Sequence, residues 1–207
     1  MDVYSLLKNI ISHTELHAKW LNTLSFMENA GARKISASEH ASEVSLIQLK
    51  HAAEEHRHAY YLKKQIGKLS PDLCKSYENN ELLAARATRQ YLHALDVKTC
   101  RYLRNHYRLS PDELKYAAYL FVTYAIEVRA DRLYPVYQDI LTEAGSKIMV
   151  KSIILEEEGH LEEMISQLYE FSSNWQDHAN CIANIEEELY YEWLNSISNE
   201  IRHHDYV

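Results

Sequence analysis

Only four glycines and three prolines interrupt a chain of 207 residues. These are the residues that stop helices and supply the turns of sheets, so their scarcity leaves long segments free to remain helical. Runs of alternating valine, isoleucine and threonine are missing too. The expected fold class is therefore all-α. Hydrophobic residues make up 46% of the chain, enough to build a core. The length suits a single domain, 1–207, with its helices in one long bundle.

The few breaks divide the chain. The polar stretch "SASEHASE" (36–43) closes a first helix over about 3–35, and a second helix over about 40–67 stops at Gly67. "LSPDL" is a turn with a proline at a helix start, and a helix over about 80–107 follows. "LSPDEL" repeats the signal: Ser110 is the N-cap, Pro111 the first helical residue and Glu113 the capping-box partner. That helix runs over 111–143 with Pro135 as a point for a kink. Gly145 marks its stop, the next helix covers about 147–170, and a last helix over about 176–203 follows "SSNWQD". The pattern predicts two antiparallel helical hairpins joined by a helical crossover, plus a C-terminal helix.

The formal charge of −8 argues against a nucleic-acid or anionic-membrane partner, which would call for a basic stripe. No stretch reaches the roughly 18 apolar residues of a membrane span. The start, "MDVYSLLKNIISHTE", lacks the basic and then apolar pattern of a secretory signal. Cys74, Cys100 and Cys181 are far apart, odd in number and form no CxxC pair. They read as reduced thiols, and the expected compartment is cytoplasmic.

Acids and histidines recur in a pattern. In "AEEHRHAY" (53–60), Glu55 and His58 stand three apart and share a helix face. Glu157 and His160, in "LEEEGHLEEM", repeat that spacing. A third such pair, Glu200 and His203, has no counterpart and reads as chance. Each of the first two lies on the second helix of a hairpin, so each calls for an acid on the helix before it. Glu127 is the single glutamate in the apolar "YLFVTYAIEVRADRLY", on a face that also carries Tyr116, Leu120, Asp131 and Tyr134. In the first helix, Glu28 continues the stripe Ile10, His17, Leu21 and Leu24, whereas Glu15 shares its face with Lys8, Ser12, Lys19 and Asn22. Glu28 is the choice. The set is then Glu28, Glu55, His58, Glu127, Glu157 and His160, in two halves that look like a pseudo-repeat. Four carboxylates facing one core cost several kcal/mol each unless compensated. Two divalent cations compensate them, and oxygen and imidazole donors without thiolate suit iron or manganese.

This set resembles the ferritin-like di-iron carboxylate proteins, in which two helices each give one glutamate and two others each give Glu-x-x-His. "EEHRH" (54–58) looks like the Glu-x-Arg-His form of acyl-carrier-protein desaturases and bacterial multicomponent monooxygenases. The resemblance implies a ferritin-like four-helix bundle holding two iron ions, or manganese with iron. Glu55 and Glu157 would bridge or chelate, His58 and His160 would each take one metal, and Glu28 and Glu127 would be terminal ligands. It further implies an oxidoreductase that uses O2 on a small-molecule or acyl-type substrate. The chain has no flavin, dinucleotide or iron–sulfur fingerprint, so a separate reductase or ferredoxin would supply electrons. Substrate tunnels in the family lead Gln48, His51 and Tyr124 to be considered as lining, with His51, Tyr124 and Asp131 as residues that support the ligands. Glu54, His56 and Arg57 read as surface or supporting groups, and His17 as structural.

The chain departs from some relatives. Leu62 stands where the radical-bearing ribonucleotide reductase subunit has its tyrosine, and Tyr61 falls on another face. The cysteine domain of rubrerythrins is missing. A metal-handling or peroxide-scavenging protein of ferritin or rubrerythrin type is the second expectation, and a helical interaction protein with structural metals the third. "IEEELYYEW" (185–193) reads as a half-buried amphipathic helix that offers a homodimer contact.

Overall fold

A computed structural model describes residues 2–204, with the side chains of 203 and 204 left out. The Glu200–His203 pair therefore ends outside the described side chains. Seven α-helices make up the described chain: α1 (Val3–Ser12), α2 (Thr14–Ser38), α3 (Leu46–Ile66), α4 (Ala85–His106), α5 (Pro111–Glu143), α6 (Lys151–Phe171) and α7 (Trp175–His204). A short 3-10 turn, Asn79–Glu81, precedes α4. Among the described residues there is no strand, and no helix is long and apolar enough to cross a membrane.

α2 packs along α3, and α5 along α6. The two hairpins meet where α2 touches α5 and α3 touches α6. α4 and α7 pack together and lie against α5, with α4 also reaching α2. One hydrophobic cluster draws on all seven helices, with Trp20, Leu62, Leu95, Phe121, Leu168 and Trp193 deep inside it.

Helix boundaries follow local chemistry. The expected first helix is two. At His13 the backbone is extended (φ −120°, ψ 115°), and the Ser12 hydroxyl donates to the Asn9 carbonyl at 2.7 Å, closing α1. α3 starts at Leu46 rather than near 40. The backbone N–H groups of Ser42 (3.3 Å) and Glu43 (3.0 Å) donate to His40 Nδ1, and Ser45 caps the helix through the N–H of Gln48 at 3.3 Å. Such side-chain turns compete with helical bonding. α4 starts at Ala85, not 80, because Ala84 takes a left-handed conformation (φ 43°). The connection before it is pinned down: Asn22 Nδ2 donates to the carbonyls of Ser76 (2.9 Å) and Glu81 (2.8 Å), and Lys63 Nζ to that of Cys74 (2.6 Å). α5 begins with the expected capping box of Ser110 and Glu113 and carries Pro135 inside it. At its end Gly145 has φ 59° and Ser146 N–H donates back to the Leu141 carbonyl at 2.9 Å, so glycine serves the left-handed stop. α6 starts at Lys151 rather than 147, with the Val150 N–H held by Gln138 Oε1 at 2.8 Å.

The "IEEELYYEW" stripe is half-buried, as its pattern predicts: Glu186, Leu189, Tyr190 and Trp193 are buried where α7 lies on α4 and α5, while Glu188, Tyr191 and Glu192 are exposed.

Candidate metal centre

The inner faces of α2, α3, α5 and α6 bring six side chains together. Atoms of Glu28, Glu55, His58 and Glu157 lie within 4.8 Å of one another, and so do atoms of Glu55, Glu127, Glu157 and His160. Glu55 and Glu157 belong to both groups. Glu28 is half-buried and the other five are buried. Glu15 stays outside: its side chain is 68% exposed and pairs with Lys19 at 3.2 Å.

The two histidines are held in matching ways. His58 Nδ1 lies 3.0 Å from Glu157 Oε1, and its Nε2 is 2.8 Å from Glu156 Oε2. His160 Nδ1 faces Glu157 (3.4 Å), Glu127 (3.7 Å) and Glu55 (3.8 Å), and its Nε2 is 2.7 Å from Glu54 Oε2. The acid just before Glu55 thus holds the histidine of α6, and the acid just before Glu157 holds the histidine of α3. Arg57 donates to Glu156 at 2.6 Å and reaches Glu54 at 3.5 Å, linking the two acids. Because each Nε2 sits on a carboxylate, it keeps its proton, and Nδ1 is the atom turned to the acid cluster. His58 Nδ1, His160 Nδ1 and Glu127 Oε2 are buried without an aligned hydrogen-bond partner; the 3.0 Å contact of His58 Nδ1 with Glu157 lacks that alignment.

The acids perturb one another. Burial, with the charges of Glu28 and Glu157, raises Glu55 well above the usual carboxylate range. Burial and Glu157 do the same to Glu127. Burial pushes Glu157 upward, but its close contacts with Glu127, His160 and His58 and the charge of His58 outweigh it and hold Glu157 low. For His58 burial pulls down, yet the contact with Glu157 and the charge of Glu28 prevail and lift it to about 9. His160 is raised in the same way by Glu157 and Glu54 against its burial. Shared protons therefore offset a group of acids that cannot all be charged together.

Two supporting residues escaped the sequence reading. One is Glu156, whose signal was there: a Glu-Glu doublet precedes both histidines, at 54–55 and 156–157. The other is buried Tyr134, whose hydroxyl donates to Glu28 Oε1. The sequence pattern puts it on the stripe of Glu127 and gives it no partner.

His51 is buried with its ring centre 4.8 Å from that of His160. Its own nitrogens go to Tyr119 Oη (3.0 Å) and Glu163 (2.8 Å), so it backs the site from behind. Tyr124 does not support the ligands: it packs edge-on against Trp175, ring centres 5.6 Å apart, because its side of α5 is covered by α7. Asp131 is exposed, one turn beyond the point where α5 faces the acids. Gln48 joins α3 to the end of α2 by donating to Ile35 O (3.2 Å) and Ser38 Oγ (2.7 Å). His17 bonds Tyr137 at 2.7 Å, away from the acids. A cavity of about 320 Å³ is lined in part by Glu28, Glu55, Glu127 and Glu157. Its walls come from α2, α4 and α5, and Gln48, His51 and Tyr124 are not among them.

No protein-family model, no curated protein and no solved structure matches this chain.

Proposed function

We propose that α2, α3, α5 and α6 form a ferritin-like bundle around two metal ions, and that the protein is a non-haem di-iron oxidoreductase acting on an organic substrate with O2. The observation that carries this reading is the pair of overlapping ligand groups, sharing Glu55 and Glu157, into which both histidine Nδ1 atoms are turned. The donors fit such metals: carboxylate oxygens and imidazole nitrogens without sulfur favour iron or manganese. Glu28, Glu55, His58 and Glu157 would hold one ion, and Glu55, Glu127, Glu157 and His160 the other. When bound, the pair of ions supplies O2 activation and the electrons exchanged with it.

The remaining work belongs to the chain. Glu54 and Glu156 fix the histidine rings, and Tyr134 fixes Glu28. The largely aliphatic cavity lined by the carboxylates leaves room for an organic molecule beside them, which favours this reading over peroxide or iron handling. With no cofactor motif in the sequence, electrons come from a separate reductase or ferredoxin.

Metal content per chain, measured by mass spectrometry beside a Glu55→Ala/Glu157→Ala variant, tests the proposal. About two iron or manganese ions per chain are expected, as in other carboxylate-bridged bundles, and they should be lost in the variant. O2 uptake that stops when organic substrate is exhausted is the second expected result. Failure to retain either metal after anaerobic Fe(II) loading would overturn the reading. Storage of many irons per chain, or fast peroxide turnover without an organic co-substrate, would move the protein to the metal-handling class.

A further inference from the structure

The seven helices do not cover the bundle evenly. α4 and α7 pack on its α2 and α5 side, and among the described residues no helix lies over the outer side of α3 and α6. Those two helices also carry most of the large apolar residues left in water. Leu46 is 78% exposed, Tyr60 67%, Leu155 70% and Tyr169 74%. Among its described residues α7 exposes one such side chain, Tyr191.

Contacts between α3 and α6 fix their register. Lys50 Nζ meets Glu163 at 2.5 Å, Arg57 meets Glu156 at 2.6 Å, and the Tyr61 hydroxyl donates to the Met149 carbonyl at 3.0 Å. The helices therefore run antiparallel, with Lys50 level with Glu163 and Arg57 level with Glu156. Spacings of three and four keep residues on one helix face. Leu46, Lys50, Ala53, Arg57 and Tyr60 form one exposed stripe on α3, and Leu155, Gly159, Glu162, Ser166 and Tyr169 form one on α6. At one end of this face stand Leu46 and Tyr169, and at the other Tyr60 and Leu155. Ala53 and Gly159 share the middle level, where the face is small.

The charges are divided by helix. Outside the core, α3 carries Lys50, Arg57, Lys63 and Lys64 against one acid, Glu54. α6 carries Glu156, Glu158, Glu162, Glu163 and Glu170 against one cation, Lys151. Two copies meet on such a face about a two-fold axis that runs either along the helices or across them. An axis along the helices keeps each level and lays α3 on the partner's α6. Lys50 then comes over the partner's Glu163 and Arg57 over the partner's Glu156, so both existing pairs close into squares of alternating sign. Their side chains remain 32–53% exposed and open to a second contact. An axis across the helices reverses the levels, with Lys50 over the partner's Arg57 and Glu163 over the partner's Glu156. Like charges set against each other disfavour that arrangement.

We propose that the outer face of α3 and α6 binds a second copy of this chain, with α3 lying on the partner's α6. Gly159 agrees with that use. It sits inside α6, where glycine is less favourable than alanine. Its φ is not positive and a Cβ built there meets no atom within 4 Å, so nothing in one copy calls for it. Beside the partner's Ala53 it lets the two helices close in. Two helices of this length span a face roughly 30 Å long and 20 Å wide, on the order of 600 Å² per copy. The total, about 1,200 Å², stands at the lower end of specific interfaces. The pairing does not depend on bound metal.

Sedimentation velocity on the whole chain tests the association. Wild type should show a monomer–dimer equilibrium that moves toward monomer on dilution and with added salt. Leu46→Glu/Leu155→Glu should weaken it at least about a hundredfold, because each change enters a symmetric interface twice. Helix content should stay at the wild-type level, since both positions face water. Disulfide trapping tests the arrangement. In a Cys181→Ser background, oxidising a mixture of Ala53→Cys and Gly159→Cys chains should link one to the other, and neither chain alone should form linked dimers. A wild type that stays monomeric at every concentration leaves the face to a different partner and overturns the proposal. So does a dimer that the leucine variant leaves intact, or an Ala53→Cys chain that links to itself. Should the leucine variant misfold, the trapping result decides alone.

Discussion

His58 and His160 each turn one nitrogen toward the acid cluster and rest the other on an acid of the facing helix. A neutral imidazole has one proton to place, and a carboxylate acceptor decides where. Glu54 and Glu156 thus choose the nitrogen available to a metal, although neither belongs to the ligand groups. Arg57 and His58 hold Glu156 below the usual carboxylate range despite its partial burial, so it stays charged at neutral pH. Removing either acid leaves a ring that can rotate or shift its proton. Glu156→Ala and Glu54→Ala should each weaken metal binding about 10- to 100-fold. Competition against a chelator measures this, with Glu158→Ala, an exposed change on the same helix, as control. Equal affinities in all three variants would reduce the two acids to surface charges.

α2 is built from one stripe that meets two different neighbours. Near its start His17 and Trp20 pack on Tyr137 of α5, and near its middle Glu28 enters the acid cluster. That stripe was legible: Ile10, His17, Leu21, Leu24 and Glu28 kept one period, and it separated Glu28 from Glu15. The same continuity hid the break at His13, because a single extended residue between two helices leaves the pattern on both sides intact. The start of α4 was hidden for a different reason, since Ala84 takes a left-handed backbone that alanine does not announce. Spacing likewise identified Glu55 with His58 and Glu157 with His160, but the pairing of Glu156 with His58 crosses helices and has no local period. The cavity belongs to this kind as well, since it depends on α4 lying over α2 and α5. His17 gives α2 its own pH signature. Burial lowers it from the ordinary 6.5 to about 4, so the folded chain prefers the neutral ring. The unfolded chain then takes up a proton first as pH falls, and stability present above about 6.5 is lost on the way down to about 4, amounting to about 3 kcal/mol. Urea midpoints of metal-free protein across that window should fall less for His17→Gln, which can still bond Tyr137, than for wild type. Parallel losses in the two proteins would assign acid sensitivity to other groups.

Across the whole molecule, the proposed metal site sets fold stability against metal affinity. Four acids meet inside one bundle, and without metals Glu55 and Glu127 answer by holding protons. An acid whose folded pKa lies above its ordinary 4.5 makes the fold less stable as pH rises from there toward the folded value. The metal-free protein should therefore carry a penalty at neutral pH that grows on the alkaline side. Replacing buried ionic groups with well-packed neutral ones of similar volume is often neutral or stabilising, by up to roughly 1–4 kcal/mol. Glu55→Gln/Glu127→Gln should accordingly raise the melting temperature of metal-free protein at neutral pH, and flatten its decline between mildly acidic and mildly alkaline buffer. Metal reverses the order. Bound ions stabilise the fold by about 2.7 kcal/mol at a hundredfold excess over Kd, and each kcal/mol moves the melting point of a chain this long by roughly 2–4 °C. Fe(II) or Mn(II) should then lift wild type by about 5–10 °C and leave the variant where it was. A metal-free wild type that melts as high as the variant, or a wild type indifferent to both ions, would mean that the acids are neutralised from within the chain and that their convergence serves packing.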